Sequence, residues 1–203
     1  MSTMRLTLLT DLYELTMMQG YFKNQNNETV VFDVFYRKNP SGSGFAIAAG
    51  LDQVIDYIRN LTFQKEDIDY LRSLKLFDED FLEYLSSFRF SGDIYAIPEG
   101  TVVFPREPLL KVIAPIMEAQ LIETAILTIV NHQSLIATKA ARVVHAAKGA
   151  GTMEFGLRWP RGAAPQPHPP ARGRGPGRRY LRSPRSHDRR LHRHFECAGR
   201  SAF

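Results

Sequence analysis

Apolar residues recur at three- and four-residue steps between residues 5 and 22, with Leu8, Leu12, Leu15, Met18 and Phe22 on one side, and this spacing predicts a helix. After the polar turn 24–28, TVVFDVFYRK (29–38) is rich in β-branched and aromatic residues and predicts a well-covered strand. NPSGSG (39–44) breaks the pattern, and GFAIAAG (44–50) predicts a second, short strand. From 51 to 88 the period becomes helical. Leu51, Val54, Ile55 and Ile58 share one face, and short helices follow at 65–74 and 78–88, with Asp78 a candidate N-cap. Strand-like pieces at 93–97, 101–104 and 109–113 are punctuated by Pro98, Pro105, Pro108 and Pro115, as expected of edge strands or a small barrel.

The longest helical signal runs from Glu118 to Lys148. Leu121, Ile122, Ala125, Ile126, Ile129 and Val130 form its stripe, which Leu135, Ile136, Val143 and Val144 extend, and Gly149 and Gly151 end it. TMEFGLR (152–158) reads as a strand entering a loop. The pattern stops there. Residues 159–203 hold seven Pro, five Gly and eleven Arg, with no Ile, Val, Met, Thr, Asn or Lys. Such a stretch cannot build a core, and its composition predicts disorder.

Charge sharpens that boundary. Residues 1–158 carry 15 Lys and Arg against 19 Asp and Glu, whereas 159–203 carry 11 Arg against Asp188 and Glu196. The overall net charge of +5 is therefore a property of the tail and does not mark the whole chain as a nucleic-acid binder. A single cysteine, Cys197, excludes an intramolecular disulfide. No run approaches the ~20 apolar residues of a membrane span, and the N-terminus lacks the pattern of a secretory signal. A cytoplasmic setting is the expectation.

The segments TDLYELTMMQGYF, FDVFYRKNP, GFAIAAGLDQVIDYI, PEGTVVFPREPLLKVIAPIMEAQLIET, NHQSLIATKAARVVHAA and EFGLR carry a resemblance. Their order and spacing across 5–158 resemble the nicotinate phosphoribosyltransferase family. The resemblance implies an enzyme that joins nicotinate to the ribose of phosphoribosyl pyrophosphate, releases pyrophosphate, couples the step to ATP and Mg2+, and feeds NAD synthesis. It also implies an α/β fold. An α+β N-terminal domain (1–115) would precede the long helix and first strand (116–158) of an irregular α/β barrel, here incomplete, followed by the tail (159–203). A homodimer with shared active sites is implied as well.

That chemistry asks for aromatic surfaces against a flat ring and for cations against phosphate. Phe155 and Arg158, in Phe-Gly-x-Arg, resemble the family's ring-stacking and phosphate-binding pair, with a core Phe and a solvated Arg as the plainer account. Gly156 would let a ligand approach the backbone. Tyr13 resembles the aromatic that reaches into a neighbouring subunit's site and covers the ring, although a Tyr on an amphipathic helix is usually core. Asp11 reads first as a helix N-terminal charge, with membership of the same site as the alternative. Thr138, Lys139 and Arg142 bring two cations together, either as anion contacts or on a solvated helix face. For Asn131 and His132 a structural hydrogen bond is the simpler reading, and His145 suits a helix C-terminus. No metal-ligand spacing stands out, and the histidines around Cys197 match no zinc pattern.

The family's next motifs are a Gly-rich GGIYGARxAxIGGCxGTSN loop and the segment bearing the histidine that ATP phosphorylates. Neither is present, so no catalytic residue is assigned. Codons permitted for residues 178–200, read one nucleotide forward, give GGIYGARGAMIGGCIGTSNVLAG, the absent loop in its expected place. A frameshift upstream of that stretch is the expectation, with the 203-residue product inactive alone; residues 159–177 give no clean shifted reading. Two other readings stand beside it. One is a non-enzymatic product whose Arg-rich arm binds nucleic acid through phosphates. The other is a related nicotinamide or quinolinate phosphoribosyltransferase.

Overall fold

A computed structural model describes residues 6–39 and 42–153. Helix α1 spans Leu12–Lys23 and begins later than its apolar spacing predicts. Asp11 is extended (φ −75°, ψ 144°) and occupies the N-cap, so the preceding residues form a turn in which Leu9 N–H donates to the Leu6 carbonyl. Leu15 and Met18 are buried while Leu12 lies half exposed, so the buried face is rotated away from Leu12.

Strands β1 (Thr29–Val34), β3 (Asp93–Ala96) and β5 (Leu110–Pro115) form an antiparallel sheet in the order β1-β5-β3. A second antiparallel pair joins β2 (Ala46–Ile47) to β4 (Val102–Val103). The expected well-covered strand over 29–38 is corrected. β1 is a six-residue edge strand that alternates exposed and half-buried positions, with Val31 outward and Asp33 paired across the ladder to Lys111. Its apolar run misleads because the described residues cover only one face of the sheet. The expectation of edge strands fits β3, but β5 is central, and Pro115 is tolerated because it stands at the strand end.

Three short helices fill the crossover between the sheets. They are α2 (Leu51–Arg59), α3 (Lys65–Ser73) and α4 (Glu79–Ser86). Asp78 takes the predicted N-cap place without a capping side-chain bond, and its carboxylate pairs with Lys23 instead. Phe81, Leu82 and Leu85 of α4 are buried, and Phe22 of α1 meets the Phe81 and Tyr84 rings at centroid distances of 5.8 and 5.2 Å.

The last element, α5 (Ile116–Ala146), is 31 residues long, about 46 Å at the helical rise. Its first half buries the predicted stripe against α1, α2 and the sheets. The extension of that stripe is uncovered, with Leu135, Val143 and Val144 exposed among the described residues. Lys148 and Gly149 take left-handed φ values of 47° and 91° and turn the chain away. No helix among the described residues is long and apolar enough to cross a membrane.

Candidate functional site

The first turn of α1 carries both the predicted aromatic and an acid that the apolar pattern hides. Glu14, at the third helical position, is fully buried. Its carboxylate accepts hydrogen bonds from the Thr10 hydroxyl and, at 2.8 Å, from the Thr124 hydroxyl of α5. Thr124 also lies 3.2 Å from an Asp11 carboxylate oxygen. Asp11, read as a helix N-terminal charge, thus also joins this junction. Placing acids at the start of α1 suits the positive end of the helix dipole. The sequence signal for Glu14 was the Asp-x-x-Glu spacing at a helix start.

Tyr13 is 52% exposed, so the expectation of a core tyrosine fails here, and the side chain is free to meet a ligand or another surface. Its phenol is held above its usual pKa, first by desolvation and then by the charges of Glu14, Glu123 and Asp11, and it stays protonated near neutral pH. Glu123, one residue before Thr124, is itself raised by partial burial and by Glu14 and Asp11. Tyr57 of α2 is buried with no partner for its hydroxyl among the described residues. Its pKa is also pushed up, by burial and then by Glu14.

Thr138, which precedes the two cations on α5, has a structural role. It is 2% exposed, receives the Ile47 N–H at 2.8 Å and donates to the Ser134 carbonyl at 2.6 Å. Ser134 likewise receives the Ala49 N–H at 3.1 Å. Hydroxyls on α5 therefore zip the GFAIAAG segment to the helix, and Gly50 (φ 108°) allows the close turn that follows. Lys139 and Arg142 are exposed on the distal half of α5. Lys139 lies 15 residues beyond Thr124, about 22 Å along the axis, so one copy of the fold does not bring these cations to Tyr13. Phe155 and Arg158 lie outside the described residues.

A groove of about 550 Å³ opens between the end of β1 and α5, lined in part by Phe35, Tyr36, Arg37, Lys38, Leu127 and Asn131. The Tyr36 hydroxyl donates to the Val103 carbonyl at 2.7 Å and fixes the groove wall. The sequence reading passed over Arg37 and Lys38 because two cations after a strand look like ordinary surface. Together with Phe35 they offer charge and a flat apolar surface side by side, a combination suited to a planar anion.

Residues 8–131 match the family model described as the nicotinate phosphoribosyltransferase N-terminal domain. A nicotinate phosphoribosyltransferase of Mycobacterium tuberculosis is 48% identical over 151 residues, which is 74% of this chain and 33% of that protein. One from Bacillus subtilis is 44% identical over 154 residues, 75% of this chain and 31% of its own length. The crystal structure of human nicotinic acid phosphoribosyltransferase superposes with a TM-score of 0.66 at 35% identity, covering 75% of this chain and 32% of the human one. The chain thus spans about a third of the length of these relatives. Over the turn that presents Tyr13, the sheets and the first half of α5, the chain belongs to the nicotinate phosphoribosyltransferase family, whose N-terminal domain it carries.

Proposed function

We propose that this chain supplies the N-terminal domain (1–115) and the start of the barrel (116–158) of an enzyme that joins nicotinate to the ribose of phosphoribosyl pyrophosphate. Pyrophosphate leaves, ATP hydrolysis drives the step, and the product enters NAD synthesis in the cytoplasm. The observation that carries this reading is the family match across 8–131, together with relatives at 44–48% identity that bear that name.

The exposed, protonated phenol of Tyr13 supports a role as cover for the pyridine ring. A neutral ring face adds dispersion and stacking, worth roughly 0.5–1.5 kcal/mol, without repelling the nicotinate carboxylate. Phe155 is the opposite face of that sandwich and Arg158 a phosphate fork, with Lys139 and Arg142 as further anion contacts. The distance along α5 between Tyr13's neighbour Thr124 and those cations favours a homodimer in which Tyr13 serves the partner copy's site. Among the described residues no group of three His, Cys, Asp or Glu side chains is placed to hold a metal ion.

Nicotinate-dependent release of pyrophosphate tests the reading. The gene with its frame restored upstream of codon 178 is expected to encode an enzyme that forms nicotinate mononucleotide, while the 203-residue product forms none. A frame-restored protein that is inactive with nicotinate, or that prefers nicotinamide or quinolinate, would sink it.

A further inference from the structure

A leucine at position 14 would pack α1 on α5 without the desolvation cost of a carboxylate. The acid that stands there instead is fully buried and is held by two hydroxyls, one from its own helix entry and one from α5. Apolar packing is non-directional and tolerates small slides and rotations, whereas hydrogen bonds to a carboxylate fix both angle and height. Pinning Glu14 inward therefore sets the direction of the residue beside it, which stands about 100° around the helix. That residue is Tyr13, whose side chain is half exposed. The Thr124 hydroxyl has one proton, and it serves Glu14 at 2.8 Å in preference to Asp11 at 3.2 Å, so the tie that holds α1 runs through Glu14.

We propose that Glu14, tied to α5 by Thr124, is a positioning residue that aims Tyr13 at the nicotinate ring; this rests on Tyr13 being the ring's cover. Neither Glu14 nor Thr124 touches substrate. They act through Tyr13, and a helix α1 left free to rotate would carry the phenol off the ring without unfolding the domain.

Two measurements test this. In the 203-residue chain labelled with 3-fluorotyrosine, Tyr13→Phe assigns one 19F resonance. Thr124→Val is expected to shift and broaden that resonance, and Thr124→Ser, which keeps the hydroxyl, to restore it. A Tyr13 resonance unmoved by both Thr124→Val and Glu14→Gln overturns the proposal.

In the frame-restored enzyme, Thr124→Val is expected to raise the nicotinate KM about tenfold with kcat little changed, Thr124→Ser to rescue it, and Tyr13→Ala to raise KM as much. The Tyr13→Ala/Thr124→Val double variant should then be no worse than Tyr13→Ala, the sign of two residues acting as one unit. Additive effects, or an unchanged KM in Thr124→Val beside a raised one in Tyr13→Ala, overturn the positioning role. An unchanged KM in Tyr13→Ala instead removes the ring-cover reading, and the fluorine resonance still judges whether Glu14 and Thr124 aim the phenol.

Discussion

Gly92 lies so close to Ala114 that a Cβ built on it would stand 2.4 Å from the Ala114 Cβ and 2.7 Å from the Ile113 carbonyl oxygen. Both atoms belong to the central strand and cannot swing aside. Gly92→Ala is expected to lose about 1–3 kcal/mol by overpacking, measured as a lower urea midpoint. Gly20 provides the contrast. It sits inside α1 with nothing within 4 Å, so Gly20→Ala should gain roughly 0.5–1 kcal/mol from helix propensity.

Thr138→Val keeps the side-chain volume but leaves the Ile47 N–H without its acceptor. A loss of about 1–3 kcal/mol is expected, with faster hydrogen exchange at the Ile47 amide. Thr138→Ser should behave like the parent. An Ile47 amide equally protected in Thr138→Val would refute the hydroxyl zipper between α5 and β2.

Glu123 sets a pH dependence whose sign follows from its raised pKa. The folded state binds its proton more tightly than the unfolded chain does, so this group's contribution is most favourable at low pH. It becomes less favourable as pH rises from the unfolded pKa of about 4.3 through the higher folded value, and is level above that. Glu123→Gln should therefore be more stable than the parent at neutral pH, and the gap should close as both are acidified. A gap that widens in acid contradicts the crowding of Glu123 by Glu14 and Asp11.

Tyr57→Phe removes a buried hydroxyl that has no partner among the described residues. The variant should unfold at an equal or higher urea concentration than the parent, because an unmade buried hydrogen bond costs about 1–3 kcal/mol. A clear loss of stability would show that this hydroxyl is bonded in solution.

Much of the fold is legible from periodicity. Leu121 through Val130 repeat at helical spacing and are buried as that spacing requires, because a helix face needs only local sequence to declare itself. The burial of Glu14 was illegible for the opposite reason, because its Asp-x-x-Glu spacing marks a helix start and not a buried acid. Its burial depends on a hydroxyl 110 residues away, and nothing near it in the chain announces Thr124. Coverage of a face is similarly non-local, which is why β1 read as buried on both sides and why Leu135, Val143 and Val144 read as core. Thr138 and Arg142 share a helix face by spacing, yet the first is buried against the GFAIAAG segment and the second is exposed. Tyr13 was found by its motif, and only the structure turned it outward.

The central place of β5 has a consequence for synthesis. β1 leaves the ribosome early, but its partner is made only after residues 35–109, which at typical elongation rates means a wait of roughly 4–15 s. β3 must wait for the same strand. Until residue 115 has emerged, the nascent chain holds two orphan strand edges that any passing extended segment could template, and a chaperone has its clearest reason to attend to this protein in that interval.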